Sequence, residues 1–153
     1  LRPYSKVELE RKLKQKFREH ELIREAIQRL DELNLLDDKA VTEFVTELLI
    51  RKRQGVNRIK AKLQEKGISR GLIDESVERT NTELKDDYRE SLKTEFLKKL
   101  TILKKRGTED AELKTKLIRY LLSRGYLYPE IRECINDNLS EFGNDAESIS
   151  EDF

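Results

Sequence analysis

Residues 62–77, KLQEKGISRGLIDESV, contain the spacing on which the architecture rests, because it occurs three times in the chain. Fifty residues earlier, residues 12–27 read KLKQKFREHELIREAI, with leucine and isoleucine in the same register. A third copy begins with LLSRG at residues 121–125 and continues with Ile131 and Ile135. A unit this short cannot bury its apolar face alone, so the repetition predicts copies that stack into an elongated array. Such arrays present long surfaces to partners, which favours binding over catalysis.

Helical periodicity extends outward from this repeat through most of the chain. Residues 41–49 give the cleanest example, with apolar side chains at the i, i+3, i+4, i+7 and i+8 positions of one face. No Asn-Gly or Asp-Gly hairpin signal is present, and no alternating strand pattern persists. The prediction is an all-α fold of about eight to nine helices in tandem three-helix repeats. The repeats are predicted at residues 1–54, 55–107 and 108–142, the last with two recognisable helices, before a flexible acidic tail at residues 143–153.

Capping residues mark the predicted helix ends. Ser5 and Glu8 have the spacing of a capping box, in which each side chain binds the other residue's free backbone N–H. Asp37 or Asp38 is expected to cap a helix, and both acidic pairs, including Asp86-Asp87, are interpreted as helix caps that also compensate the helix dipole. This interpretation outweighs a pair of catalytic acids, because both pairs immediately precede predicted helices. The expected helix stops are Asn34, Gly67, Gly107 and Gly125.

The composition is that of a helical protein without a membrane segment. Charged residues make up 41% of the 153 residues and hydrophobic residues 36%, and the formal net charge is +1. No apolar run approaches the roughly 20 residues that a membrane-spanning helix needs, so no membrane partner is expected. The single cysteine, Cys134, excludes an internal disulfide and fits a reducing cytoplasm.

Residues for catalysis or metal binding are sparse. The chain has one histidine, His20, and one cysteine, Cys134, so no His/Cys cluster can hold a metal. His20 is interpreted as a surface residue at a helix junction, and Cys134 as a small apolar residue on a buried stripe. The glycines form no phosphate-binding loop. The sequence therefore predicts a protein with no catalytic site, no metal and no cofactor.

Charge is strongly segregated along the chain, and residues 51–70 carry eight bases against Glu65 alone. A solvated face with cations at a helix C-terminus would account for part of this pattern. The imbalance favours a binding surface for either an acidic protein groove or nucleic-acid phosphates. We call these eight bases the basic stripe: Arg51, Lys52, Arg53, Arg58, Lys60, Lys62, Lys66 and Arg70. A secondary basic patch is predicted from Lys98, Lys99, Lys104, Lys105, Arg106 and Arg124.

One ordered set of motifs resembles the RecX family of bacterial recombination regulators. Leu35-Leu36-Asp37-Asp38 is followed by an amphipathic helix that ends in Arg51-Lys52-Arg53, and then by Gly55 and Lys66-Gly67-Ile68. Outside this core, Arg2-Pro3-Tyr4-Ser5 resembles the family's opening. Residues 116–131 resemble its third repeat. Phe17 departs from the pattern, since the other two copies have glycine at this position.

The resemblance implies an array of three-helix repeats that binds the RecA recombinase filament along its groove. It implies inhibition of the ATPase, strand-exchange and co-protease activities of RecA, and hence a role in recombination, DNA repair and the SOS response. A monomeric cytoplasmic protein without a catalytic centre is expected, with weak nucleic-acid binding as an additional activity. The alternative is a helical protein that binds nucleic acid without RecA. Acidic residues 137–152 are also hypothesised to cover the basic stripe when no partner is bound.

Overall fold

The computed structural model describes residues 2–138, which form eight α-helices and no strand. The prediction of an all-α array is therefore confirmed. Residue 139, predicted to lie on the last helix, and the acidic tail fall outside the described residues. The helices are α1 (Lys6–Lys16), α2 (His20–Glu32), α3 (Asp38–Arg51), α4 (Val56–Glu65), α5 (Arg70–Asn81), α6 (Lys85–Lys105), α7 (Asp110–Ser123) and α8 (Tyr128–Asn138).

The predicted capping box begins α1 and also attaches this helix to the second unit. The Ser5 hydroxyl accepts a hydrogen bond from the Glu8 backbone N–H at 3.1 Å, and the Glu8 carboxylate accepts one from the Ser5 N–H at 3.3 Å. The same hydroxyl donates to the carbonyl of Lys66 at 2.5 Å. Because Ser5 is fully buried, its cap is part of the contact between α1 and the turn after α4.

Most of the other predicted helix boundaries are confirmed. Asn34 has a φ of 54°, and glycines 67, 107 and 125 have φ values of 71°, 69° and 92°. Asp37 caps α3 by accepting a hydrogen bond from the N–H of Ala40 at 2.9 Å. The capping prediction for Asp86 and Asp87 is wrong. Leu84 is the N-cap of α6, so the two aspartates already lie in the first helical turn, where they face the positive end of the helix dipole.

Helix packing divides the array into three groups. Helix α1 packs against α2, α3 packs with α4 and α5, and α6 packs with α7 and α8. Helix α6 also contacts α3 and α5, so it joins the second group to the third. The repeat boundaries predicted at residues 54 and 107 remain predictions.

The repeated apolar positions form the core in the second and third groups. Leu63 and Ile73 are buried in the second group, as are Leu121 and Ile131 in the third. In the first copy Ile23 is buried, whereas the neighbouring Leu22 is 62% exposed. Leu22 is exposed because no helix among residues 2–138 packs on α1 and α2 as α3 packs on α4 and α5. Phe17, which ends α1 in an extended conformation, is 53% exposed.

Two turns meet backbone to backbone at the junction of the second and third groups. The N–H of Gly55 donates to the carbonyl of Arg124 at 2.9 Å, and the N–H of Asn57 donates to that of Gly125 at 3.0 Å. A Cβ atom on Gly55 would lie 2.2 Å from the carbonyl carbon of Gly125, so only glycine permits this approach. The junction places the end of α3 and the start of α4 beside the end of α7.

Candidate partner-binding surface

The junction gathers cations from two separate stretches of sequence. Arg51 and Lys52 are exposed at the end of α3, and Arg58 is exposed on α4. Arg124 reaches them from the end of α7: its Nη2 donates to the carbonyl of Lys52 at 2.8 Å. We call Arg51, Lys52, Arg58 and Arg124 the junction cluster. Three of its members come from the predicted basic stripe, and Arg124 comes from the predicted secondary patch.

Backbone carbonyls hold the side chains of Arg58 and Arg124 in place. Arg58 donates to the carbonyl of Ser123 from Nε at 3.2 Å and from Nη2 at 2.8 Å. Arg124 donates from Nε to the carbonyl of Arg53 at 3.2 Å. These carbonyls lie at the C-termini of α7 and α3, so the interpretation as helix-terminal cations holds for both side chains. A carbonyl has no net charge, and no carboxylate among the described residues pairs with Arg58. Its positive charge is therefore held in a fixed position but not neutralised.

A buried carboxylate lies beneath the cluster. Glu95, on α6, is 2% exposed. Its Oε2 lies 3.6 Å from Nη1 of Arg53, and its Oε1 lies 3.6 Å from Nε of Arg124. The hydroxyl of Tyr120 also donates a hydrogen bond to Oε1. Burial raises the pKa of Tyr120, and the hydrogen bond to Glu95 raises it further, so Tyr120 remains a donor at neutral pH.

Sequence reasoning did not identify Glu95. Its signal is its position: Ser91, Leu92, Glu95 and Phe96 are spaced i, i+1, i+4 and i+5, and all four are buried. A glutamate on the core face of a helix requires a compensating partner. Arg53 and Arg124, which are 42 and 29 residues distant in sequence, provide it. The pattern could have flagged the residue but not its partners.

Lys66 does not lie on the exposed surface that the basic stripe predicts. The side chain is 6% exposed, and its Nζ lies 2.6 Å from Oε1 of Glu8. Partial burial acts to raise the pKa of Glu8, but the hydrogen bond from Lys66 and the backbone N–H of Ser5 lower it overall. Lys66 thus joins α1 to the second group instead of facing a partner.

The other stripe residues differ in how far they are neutralised. Lys62 pairs with Glu65 at 2.8 Å, and Arg70 lies 3.9 Å from Asp74. Lys60 is half-buried on α4, and no ion pair to it is found within residues 2–138. The structure therefore separates the stripe into the junction end, with exposed charge, and a far end in which lysine and arginine have acidic neighbours.

The secondary patch occupies the last turns of α6 and the turn that follows. Lys98, Lys105 and Arg106 are exposed there, and Lys104 is exposed beside them. The Nζ of Lys99 lies 4.5 Å from the ring centroid of Tyr120 and is partly covered. Apart from Arg124, the patch therefore belongs to the end of α6 and the turn after it.

A groove of about 600 Å³ runs between α3 and α6 beside the junction cluster. Ile50 and Leu84 contribute apolar surface to it. Arg51 and Arg53 contribute positive charge, and three residues contribute negative charge: Glu47, Asp87 and Glu90. The hydroxyl of Ser91 donates to the carbonyl of Ile50 at 2.8 Å, which joins the two helices. The groove adds a concave surface with an apolar component next to the exposed cations.

The described residues show none of the features of a metal centre. Within residues 2–138 no three His, Cys, Asp or Glu side chains are placed to share a metal ion. His20 is exposed at the start of α2. Cys134 is half-buried, and burial, with a contribution from Asp137, raises the pKa of its thiol to about 11. In the same described segment, every helix is too short or too polar to cross a membrane.

Comparison with known proteins gives consistent matches along the chain. Family models match residues 37–77 as the second three-helix domain of RecX and residues 86–135 as its third. The regulatory protein RecX of Chlorobaculum tepidum is 35% identical over 92% of this chain and 82% of its own length. That of Clostridium perfringens strain 13 is 36% identical over 90% of this chain. The chain spans 61% of the clostridial protein's length.

A solved structure has the same fold. The crystal structure of RecX from Lactobacillus salivarius matches 89% of this chain and 86% of its own chain, with a TM-score of 0.75. Its sequence identity to this chain is 22%. The two family-model ranges begin at α3 and α6, which are also the first helices of the second and third packing groups.

Proposed function

Since the chain belongs to the RecX family of regulatory proteins, we propose that it binds the RecA recombinase filament in the cytoplasm and lowers its activity. The affected activities are ATP hydrolysis, strand exchange and co-protease action, so the protein restrains recombination, DNA repair and the SOS response. It acts as a monomer, by occupying the filament surface and not by catalysis.

The observation that carries this proposal is the junction cluster on a RecX array. Its cations come from two units, and the Arg58 guanidinium is fixed by neutral acceptors. A charged group that is already held in position loses little conformational entropy when it binds an anion. An anionic surface on the filament is a partner that such a cluster fits.

We further propose that the units are α1–α2, α3–α5 and α6–α8. This division follows the packing groups and the two ranges matched by the family models. It would move the predicted boundaries at residues 54 and 107 to the turns before α3 and α6. Limited proteolysis tests it: the first stable fragments should begin near residues 35 and 83, and cleavage confined to residues 54 and 107 would support the original boundaries.

The direct test is a titration of RecA ATPase activity on single-stranded DNA. The wild-type protein should lower the rate of ATP hydrolysis at substoichiometric ratios to RecA, with DNA in excess so that competition for free DNA is excluded. An unchanged rate at every ratio would refute the proposal.

The binding surface is tested by neutralising charges that are not structural. Arg51→Gln, Lys52→Gln and Lys60→Gln together remove three positive charges and break no ion pair seen among the described residues. The matched control replaces three exposed cations elsewhere, Lys85, Lys93 and Arg132, by Gln. The first variant should need several-fold more protein for half-inhibition, and the control should behave as wild type. Equal effects in both would assign the interaction to net charge alone.

A second candidate function is direct binding of nucleic acid. Arg58 and Arg124 favour it, because guanidinium groups held by carbonyls suit phosphate oxygens. Tight binding to bare DNA, with a strong salt dependence and no effect on RecA beyond DNA competition, would support this function instead.

A further inference from the structure

Glu95 is the only buried acidic side chain among residues 2–138 that pairs with two arginines at once. Three elements meet at its carboxylate: the turn after α3 through Arg53, helix α7 through Tyr120, and the turn after α7 through Arg124. Helix α6 carries the glutamate itself. The site therefore lies where the second and third units join, directly below the junction cluster.

Arg53 and Arg124 contact Glu95 in different ways. Arg53 has a φ of 56°, an uncommon conformation for a residue other than glycine, and its side chain points to Glu95. Arg124 uses Nε toward Glu95 and Nη2 toward the carbonyl of Lys52. One side chain thus connects the buried carboxylate to the turn that carries Arg51 and Lys52.

Removing the buried carboxylate is costly, because Arg53 and Arg124, whose side chains are partly exposed, lose the charge that compensates theirs. Without the carboxylate, Arg53 and Arg124 would repel each other and turn toward water. The two turns would then no longer share an anchor. The backbone contact at Gly55 would remain, but the cations above it would lose their fixed spacing.

We propose that Glu95 is a positioning residue: it sets the spacing of the junction cluster and thereby allows the cluster to bind an anionic partner surface. This inference rests on the proposed function for its partner, the RecA filament. It assigns a binding role to a residue that never touches the partner. It also distinguishes two contributions to binding: the net charge of the surface and the spacing of its cations.

The test uses the fact that charge and geometry predict opposite results. Glu95→Gln raises the net charge from +1 to +2 and leaves an amide that can still bond to Tyr120. If attraction depended on charge alone, the variant would bind an anionic filament as well as or better than wild type. Positioning predicts weaker inhibition instead, by roughly three- to thirtyfold in the concentration for half-inhibition.

The matched control is Glu78→Gln, which changes the charge equally at an exposed site on α5. Inhibition by this variant should match or slightly exceed that of the wild type. Circular dichroism establishes that each variant is folded at the assay temperature. Should Glu95→Gln fail to fold, Arg124→Lys serves in its place, since it preserves the charge but not the two-nitrogen contacts to Glu95 and Lys52.

A second readout does not depend on RecA. Spin labels at Ala61→Cys on α4 and Ala111→Cys on α7, in a Cys134→Ser background, report the distance between the two units; both alanines are exposed. Glu95→Gln should broaden the distance distribution, and Glu78→Gln should leave it unchanged. If the wild type has no effect on RecA, the proposed function fails. The spin-label distances still test whether Glu95 fixes the arrangement of the two units. An unchanged distribution together with undiminished inhibition would overturn the proposal for Glu95.

Discussion

Replacing Gly55 by alanine should destabilise the contact between the second and third units. The added Cβ would lie 2.2 Å from both the carbonyl carbon of Gly125 and the backbone nitrogen of Tyr126. Since both are backbone atoms, the turns have to separate. Separation breaks two backbone hydrogen bonds, from Gly55 to Arg124 and from Asn57 to Gly125.

The magnitude follows from these losses. Two hydrogen bonds contribute about 0.5–1.5 kcal/mol each, and overpacking in a tight site costs about 1–3 kcal/mol. The free energy of unfolding should therefore fall by roughly 2–6 kcal/mol. That is a large fraction of the about 5–15 kcal/mol typical of small proteins.

Urea denaturation followed by circular dichroism measures this change. The matched control is Gly71→Ala: Gly71 lies in the first turn of α5, and a Cβ there meets nothing within 4 Å. Alanine at this helical position should be neutral or stabilising by up to about 1 kcal/mol. A Gly55→Ala variant within about 0.5 kcal/mol of the wild type would refute the inferred backbone contact.

Three further outcomes are expected. Ser5→Ala should destabilise α1 by about 1–2 kcal/mol, because both the cap and the hydrogen bond to the Lys66 carbonyl are lost. Amide hydrogen exchange should therefore become faster in α1 alone. An equal increase in exchange along the whole chain would contradict this. The contact between Glu8 and Lys66 should stabilise the fold fully at pH values above the unfolded pKa of Glu8, about 4.3. This stabilisation should be lost as the pH falls through the folded pKa, which is lower. Over that pH range, protease cleavage near α1 should rise in the wild type but not depend on pH in Glu8→Gln. Cys134 should react with a thiol reagent far more slowly at pH 7 than a free cysteine, since burial raises the pKa of its thiol to about 11. Equal reaction rates in the native protein and in urea would contradict this, because they would show that the native thiol is accessible.

Local features of the fold were predictable from the sequence. The repeated Leu63 and Ile73 pattern marks core positions because burial follows helical spacing. Ser5 and Asn34 mark helix ends because their chemistry acts over a few residues. Asp86 and Asp87 compensate the dipole of α6 as predicted but do not cap it, because the turn from α5 to α6 is so short that the helix begins before the pair.

The candidate surface could be predicted only in part. Charge counting identified Arg51, Lys52 and Arg58, which are exposed, but it also included Lys66, which is buried against Glu8. The two cases differ only in a partner 58 residues distant in sequence. Composition contains no information on such pairings, so long-range contacts decided which cations remain on the surface.

The junction between Gly55 and Gly125 also bears on synthesis of the protein. The ribosome completes the turn at residue 55 about 70 residues before the turn that binds it, and contacts so distant in sequence form late in folding. A nascent chain that ends within α6 therefore already carries Arg51, Lys52 and Arg58. It still lacks the Ser123 carbonyl that binds Arg58 and the Arg124 side chain that binds the Lys52 carbonyl. The junction cluster is completed only when translation has passed Gly125, so an unfinished chain does not present the full surface to a partner.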